Sequence, residues 1–188
     1  MSTSSITTDD PRAADVRLLL QRHLDFANTH SPPEDVHALD VDGLVDPDVT
    51  FVSCRVGRRV VAVGALKSLD GRHAELKSMH TAREARGRGF GRAIVEHLLD
   101  VARERGIVRV SLETGTMVAF DAARRLYASM GFVPCGPFGG YPTSRNSTFM
   151  TLRLGPGEHG EGGSTRSVLG RGQQADRSDS GDQPQGLQ

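Results

Sequence analysis

The stretch of this sequence that most constrains its fold is a glycine-rich turn, residues 86–92, which reads Arg86-Gly87-Arg88-Gly89-Phe90-Gly91-Arg92. It follows a predicted strand and begins a strongly amphipathic helix. Three glycines in five residues let the backbone turn tightly and bring its N–H groups close to a ligand. The helix adds its unpaired first-turn amides and the positive end of its dipole. With Arg83 and three arginines inside the turn, the local charge favours a phosphate.

The same turn has other interpretations, because many glycine-rich turns only connect a strand to a helix. A Walker loop requires Lys-Ser or Lys-Thr after its last glycine, but Gly91 is followed by Arg92-Ala93. A dinucleotide-binding turn requires Gly-x-Gly-x-x-Gly, whereas here the glycines alternate at 87, 89 and 91. Both of these nucleotide-binding motifs therefore fit poorly.

The composition favours one ordinary globular domain. The chain has 188 residues, of which 37% are hydrophobic, enough for a single core. Basic and acidic residues number 23 each, which argues against general binding to nucleic acid or to a membrane surface. The first five residues lack the charged and apolar regions of a secretory signal, and no apolar run approaches a membrane span, so we expect a cytoplasmic protein. Cys54 and Cys135 form no paired motif; we expect reduced thiols and no metal site.

Hydrophobic periodicity predicts the order of the elements. A short strand at residues 4–8 precedes a helix that should begin at Asp10-Pro11 and end at Ser31-Pro32-Pro33. Residues 34–44 are a loop or a short second helix. A hairpin over 50–69 and a strand over 73–81 form an antiparallel meander. The period of two places Glu75, Lys77 and Met79 on one strand face, and Leu76, Ser78 and His80 on the other.

The second half of the chain alternates helices and strands. The helix after the glycine-rich turn should end at Gly106, and a strand over 108–113 follows it. Strand, helix and strand in this order imply a right-handed crossover and a parallel strand pair. A helix from Phe120 to Met130 and a last strand over 147–154 complete the pattern. Residues 156–188 are rich in Gly, Ser, Gln and Asp, and we expect this tail to be disordered.

The glycine-rich turn resembles the coenzyme A pyrophosphate loop of the GNAT acyltransferases, Arg/Gln-x-x-Gly-x-Gly/Ala, here Arg86-x-x-Gly89-x-Gly91. The elements around it are similar as well: a strand, the loop, a helix, a second strand, a helix with a tyrosine, and a Gly-Phe step. Residues 31–34, 76–79, 111–115 and 146–151 are similar to a bacterial branch of that family. The resemblance implies an α/β (α+β) GNAT fold, with a mixed, mostly antiparallel central sheet, a splayed parallel strand pair, and helices on both faces. One such domain should occupy residues 1–155.

The resemblance also implies a function, which is acetyl transfer from acetyl-CoA to a primary amine by direct attack in a ternary complex. The acceptor would be a small amine, an amino acid or a protein amine. A different class of function stays open, because a non-catalytic regulator or sensor that binds acyl-CoA could keep the same turn. The coenzyme contacts implied by the resemblance are Met79, His80, Thr81, Arg86, Gly87, Arg88, Gly89, Phe90, Gly91, Arg92, Phe120 and Ala123.

Two residues are expected to carry the chemistry. Glu75, on the strand before the turn, is the candidate general base, although an ion pair with Lys77 is the alternative interpretation. Tyr127, four residues before Gly131-Phe132, matches the family tyrosine that protonates the leaving thiolate, although it is also a good packing residue. A backbone N–H near Met79 or His80 is the expected oxyanion donor.

Candidate acceptor contacts come from three segments. They are Glu34 and His37 after the first helix, Lys77, Glu113, Thr114 and Gly115 at the strand ends, and Ser144 and Asn146 in the long loop before the last strand. Each has a structural alternative, as a helix cap, a turn or an ion-pair partner. The same long loop is a usual place for contacts in a homodimer.

Overall fold

A seven-stranded mixed sheet forms the centre of the fold, which we describe from a computed structural model that covers residues 3–155. The predicted disordered tail, residues 156–188, lies outside the described residues. The strands are β1 (Ser4–Thr8), β2 (Val49–Val56), β3 (Arg59–Ser68), β4 (His73–Thr81), β5 (Arg109–Gly115), β6 (Val133–Pro134) and β7 (Ser147–Arg153). Their order across the sheet is β1-β2-β3-β4-β5-β7-β6, and only β4 and β5 are parallel. This confirms the predicted mostly antiparallel sheet with one parallel pair.

Four α-helices accompany the sheet: α1 (Ala14–His30), α2 (Val41–Leu44), α3 (Phe90–Glu104) and α4 (Asp121–Ser129). The apolar face of α3 is buried as its periodicity predicted, with Ile94, Val95, Leu98 and Ala102 in the core. Short 3-10 turns occur at Pro33–Asp35, Arg83–Ala85 and Val118–Phe120. Among the described residues, no helix has the length and apolar character needed to cross a bilayer.

The first helix begins later than the sequence suggested. The sequence predicts a start at Asp10-Pro11, but α1 begins at Ala14, and its N-cap residue, Ala13, makes no side-chain hydrogen bond to the first turn. Asp10 instead accepts a hydrogen bond from the amide of Arg12 and closes a turn ahead of the helix. Asp-Pro is typical of turns as well as of helix starts, and here the turn interpretation is right.

The parallel strands pair along only part of their length. Their register runs from His73 opposite Arg109 to Leu76 opposite Leu112. Beyond that point β4 continues to Thr81 and β5 continues to Gly115 with no further pairing between them. The two strands therefore part after Leu76, as expected for a splayed pair.

A bulge in β4 changes the predicted alternation of its side chains. Lys77 lies opposite Ala65 and His80 lies opposite Val63, so two residues of β4 face the single residue Gly64. Ser78 adopts a φ of 51°, which is the left-handed region. Because Ala65 and Val63 share a face of β3, Lys77 and His80 share a face too. The expectation that His80 lies on the face opposite Glu75 and Lys77 is wrong, since the extra residue reverses the alternation.

The helices cover both faces of the sheet. On the face of His80, α1 packs with its His23 ring 5.4 Å from the His80 ring. On the other face, a Cβ at Gly64 would lie 2.6 Å from Cγ2 of Ile94 in α3 and 2.5 Å from Sδ of Met79. Gly64 thus leaves room for Met79, which the bulge has turned toward α3.

Candidate active site

A cavity of about 540 Å³ opens where β4 and β5 part. Its wall combines the second half of β4, the glycine-rich turn, the end of β5, the inner side of α1 and the first turns of α4. Because β5 has separated from β4, the backbone of β4 beyond Leu76 has no strand beside it on that edge. An extended ligand can therefore lie along this edge as another strand would.

Most of the residues predicted from sequence reach this one cavity. The expected coenzyme contacts in the cavity wall are Met79, His80, Thr81, Arg86, Gly87, Gly89, Phe90, Gly91, Arg92, Phe120 and Ala123. The expected catalytic residues in the wall are Glu75 and Tyr127, and the expected acceptor contacts there are His37, Lys77, Glu113, Thr114 and Gly115. Four predicted residues are not in its wall: Arg88, Glu34, Ser144 and Asn146. Residues far apart in the sequence thus converge on one site.

The glycine-rich turn has the backbone shape of an anion site. Gly87 and Gly89 have φ angles of 73° and 84°, which a residue with a side chain adopts only with strain. Gly89 is the N-cap of α3 and offers no side chain to the first-turn amides, and that turn contains no acidic residue. The amides of residues 90–92 and the positive end of the helix dipole are therefore available to a negatively charged group.

The arginines of the turn have different environments. Arg86 lies in the cavity wall, donates from Nε to the carbonyl of Thr81 at 3.2 Å, and stacks on the ring of Phe26. Arg92 donates to the hydroxyl of Ser129 at 2.7 Å. Arg88 stacks on Phe90 and is outside the cavity wall. The arginines of the turn that line the cavity are therefore Arg86 and Arg92.

Glu75 is held in a buried hydrogen-bonded group. It is 3% exposed, and its Oε1 accepts hydrogen bonds from Tyr141 Oη at 2.6 Å and from Lys77 Nζ at 3.2 Å. Lys77 also donates to the Tyr141 hydroxyl at 2.5 Å. Burial, and then the nearby Glu75 carboxylate, raise the pKa of Tyr141, so this phenol stays protonated. The ion pair with Lys77 that the sequence left open is present.

Glu113 is the second carboxylate on this face. Glu75 pairs with Ser111 in the sheet, and Glu113 follows Ser111 by two residues, so all three side chains share a face. Within residues 3–155, no basic side chain lies within ion-pairing distance of Glu113. Burial raises the pKa of Glu113 above its ordinary value. A carboxylate with a raised pKa is a stronger base than a fully solvated one.

Tyr127 approaches the cavity from α4. Its side chain is 6% exposed, and its ring packs edge-on against Phe132 at 5.7 Å. Burial raises the pKa of the Tyr127 phenol, so the hydroxyl stays protonated and is available as a hydrogen-bond donor. Packing and proton donation are compatible at this position, because the ring is buried while the residue lines the cavity.

Two histidines line the side of the cavity next to α1. Burial lowers the pKa of His23 to about 4. Burial, followed by the nearby His23, lowers the pKa of His80 to about 3. Nδ1 of His23 is buried without a hydrogen-bond partner among the described residues. Both rings are therefore neutral at physiological pH, and this part of the wall is apolar in character.

Sequence reasoning missed two features of the site. Asp35 lines the cavity beside the predicted Glu34, which is exposed; its carboxylate accepts a hydrogen bond from Asn146 Nδ2 at 2.8 Å. Asn146 thus joins the loop before β7 to the segment after α1. Tyr141 lies in that same loop, and its bond to Glu75 spans 66 positions. No local pattern could reveal a contact of that range, whereas the proline-rich segment at 32–33 did mark the approximate place of Asp35.

Comparison with known proteins agrees with this arrangement. The model of the acetyltransferase (GNAT) family matches residues 15–132. The uncharacterized N-acetyltransferase YsnE of Bacillus subtilis is 42% identical over 149 residues, which cover 79% of this chain and 99% of that protein. YedL of Escherichia coli, also described as an uncharacterized N-acetyltransferase, is 44% identical over 150 residues, or 80% of this chain and 94% of that one.

Solved structures show the same fold. A protein of Klebsiella pneumoniae described as an acyl-CoA N-acyltransferase superposes with a TM-score of 0.66 at 25% identity, over 81% of this chain and 98% of that one. N-acetylglutamate synthase of Neisseria gonorrhoeae, complexed with coenzyme A and N-acetyl-glutamate, superposes with a TM-score of 0.63 at 17% identity, over 82% and 36% of the two chains. The matched family model, the two close relatives and the splayed parallel strands agree: the chain belongs to the acetyltransferase (GNAT) family of acyl-transferring enzymes.

Proposed function

We propose that this protein is an acetyl-CoA-dependent N-acetyltransferase that acetylates a primary amine by direct attack in a ternary complex. The observation that carries the proposal is the continuity of one cavity from the glycine-rich turn, along the free edge of β4, to the carboxylates Glu75 and Glu113. An anion site, a strand edge and proton acceptors are the three parts that this reaction needs.

The coenzyme would be bound by backbone groups more than by side chains. Its diphosphate would accept hydrogen bonds from the amides of residues 87–92, with Arg86 and Arg92 adding positive charge. The amides of its pantetheine arm would pair with the free edge of β4 at Met79, His80 and Thr81. Phe120 and Ala123 in the wall would pack against the arm.

The chain's own groups account for each proton and charge. The amine nitrogen attacks the thioester carbonyl, and a backbone N–H near Met79 or His80, where the bulge disrupts the ladder with β3, stabilises the oxyanion. Tyr127 donates its proton as the C–S bond breaks, so the coenzyme leaves as a thiol. The candidates for the base that takes the proton of the amine are Glu75, which the sequence favoured, and Glu113 on the same sheet face.

Thermal unfolding with and without acetyl-CoA tests the binding step. Acetyl-CoA should raise the melting temperature, by an amount that grows with its concentration. Gly89→Glu should abolish the rise, because a carboxylate there repels the diphosphate and the residue has a left-handed backbone. Gly71→Glu, in an exposed turn with open space around it, is the matched control and should keep the rise. An equal rise in wild type and Gly89→Glu would contradict the proposed site.

Thiol release from acetyl-CoA with a panel of amines tests the chemical step. Release that depends on an amine supports an enzyme of this class. Stabilisation by acetyl-CoA without release from any amine would instead support the alternative left open by the sequence, a non-catalytic acyl-CoA sensor.

A further inference from the structure

We propose that Glu113 receives the ammonium group of the acceptor and takes its proton, and that the acceptor is an amine with no carboxylate next to its amino group. The inference rests on the proposed acetyl transfer and specifies its base and its substrate class. It gives the base role to Glu113 in place of Glu75.

The first step of the argument is the state of Glu75. Its Oε1 already accepts two hydrogen bonds, from Tyr141 and from Lys77, and its side chain is almost completely buried. Protonation of this carboxylate would remove the negative charge that pairs with Lys77 and leave a buried cation without its partner. Glu75 is therefore suited to position Lys77 and Tyr141, and poorly suited to exchange protons with a substrate.

The second step is the state of Glu113. It lines the same cavity, on the same sheet face as Glu75, at the point where β4 and β5 part. The charged or titratable groups around it are His37, Lys77, Glu75 and Tyr141, and among the described residues none of the basic ones forms an ion pair with it. A partly buried carboxylate without a cation is a favourable site for an incoming ammonium group.

The third step is the charge of the rest of the cavity. Its described lining has three acidic side chains, Asp35, Glu75 and Glu113, and its only arginines, Arg86 and Arg92, belong to the glycine-rich turn. Lys77 is the remaining basic group apart from histidines, and it is paired with Glu75. An acceptor carboxylate near Glu113 would therefore meet negative charge and no free cation, which costs affinity.

The proton balance of the reaction is simple. The bound ammonium gives one proton to Glu113, which later releases it to solvent, and the neutral nitrogen forms a bond to the thioester carbon. When the C–S bond breaks, the sulfur takes a proton from Tyr127, and the nitrogen's second proton restores the phenol through water.

The test uses pairs of acceptors that differ only by a carboxylate. Thiol release from acetyl-CoA is followed with phenethylamine against phenylalanine, tyramine against tyrosine, and tryptamine against tryptophan. At least one amine should be acetylated, with kcat/KM about 10-fold or more above that of its amino acid, which corresponds to loss of one favourable charge interaction. An amino acid used as well as its amine, or acetyl-CoA binding without acetylation of any of the amines, would overturn the proposal.

Variants test the role of Glu113 on the best amine. Glu113→Gln should lower kcat/KM by about 10²-fold or more and leave the thermal shift by acetyl-CoA intact. The rate of the wild type should increase as pH rises through the pKa of Glu113, which gives a limb in its pH–rate profile. The rate of Glu113→Gln should lack this limb and should increase only as pH approaches the pKa of the amine. Glu113→Asp should restore the wild-type limb in part. Loss of the acetyl-CoA shift in wild type would count against the proposed function, not against Glu113 alone.

Two further variants separate the base from a structural role. Glu75→Gln should lower the melting temperature, because Lys77 loses its partner, and should keep the wild-type pH limb. Glu104→Gln, at an exposed position near the end of α3, should leave both rate and pH limb unchanged. If the limb disappears in Glu75→Gln and persists in Glu113→Gln, Glu75 is the base and the inference is wrong.

Discussion

Tyr127 is the residue whose hydroxyl the proposed reaction uses directly, while its ring contributes to the core. Tyr127→Phe keeps the ring against Phe132 and removes only the proton donor. We expect kcat to fall by about 10²-fold, because one general-acid contribution is lost, while acetyl-CoA binds with unchanged affinity. Steady-state kinetics with calorimetric binding measures both quantities. An unchanged kcat would restrict Tyr127 to packing.

The neutral histidines His23 and His80 make stability depend on pH. Their folded pKa values of about 4 and about 3 lie below the unfolded value of 6.5, so the unfolded chain binds more protons in the interval between them. Their stabilisation is fully present above pH 6.5 and is lost as pH falls toward 4, with a slope of up to about 1.4 kcal/mol per pH unit for each histidine.

This pH dependence is checked by urea unfolding at pH 7, 6, 5 and 4. His80→Leu should flatten the decline below pH 6.5, since one group with a lowered pKa is removed. If the free energy of unfolding falls equally in the wild type and the variant, other groups, such as carboxylates that lose their partners, dominate the loss of stability at low pH.

Single residues also show what the sequence could and could not predict. Glu75, Tyr127 and the glycines of the turn were identified because each lies at a fixed distance from a recognisable motif. Asp35 and Tyr141 were not, because their roles depend on contacts with Asn146 and Glu75 across more than 60 positions of the chain. Long-range side-chain contacts have no local signature.

At the scale of elements, the bulge of β4 turns Met79 toward α3, and Gly64 on β3 leaves room for the Met79 side chain. Gly64→Ala would place a Cβ within 2.6 Å of Ile94 and closer still to Met79. We expect a loss of about 1–3 kcal/mol in the free energy of unfolding, and weaker binding of acetyl-CoA as Met79 shifts. Gly71→Ala, which meets no atom within 4 Å, should change stability by less than about 0.5 kcal/mol. Equal effects of the two substitutions would contradict this account of the bulge.

The elements themselves were predicted more completely than their details. Hydrophobic alternation and turn residues identified β2, β3, β4 and the amphipathic α3, because local burial dictates these patterns. The bulge at Ser78 was not predicted, because the alternation rule assumes that each residue lies opposite one residue of the neighbouring strand. His80 was therefore assigned to the wrong face of the sheet. The two-residue strand β6 was not predicted either, because a strand that short shows no detectable alternation.

At the scale of the whole molecule, we propose that residues 1–155 are one domain that functions without the tail. The YsnE relative is matched over 99% of its length by 79% of this chain, so that relative has almost no sequence left to match the remaining fifth of this chain. A chain ending at Gly155 should melt within about 2 °C of the full chain and show the same thermal shift with acetyl-CoA, because it keeps β4, the glycine-rich turn, β5 and α4. A truncated chain that no longer folds would contradict the proposed boundary.

Size-exclusion chromatography of both chains would also test the homodimer expected from the loop before β7.

The position of the coenzyme in a crystal structure of the protein with coenzyme A tests the central claim most directly. We predict diphosphate oxygens within hydrogen-bonding distance of the amides of residues 87–92, and the pantetheine arm along the free edge of β4. A coenzyme whose diphosphate lies away from the glycine-rich turn, or whose arm leaves the gap between β4 and β5, would contradict the account.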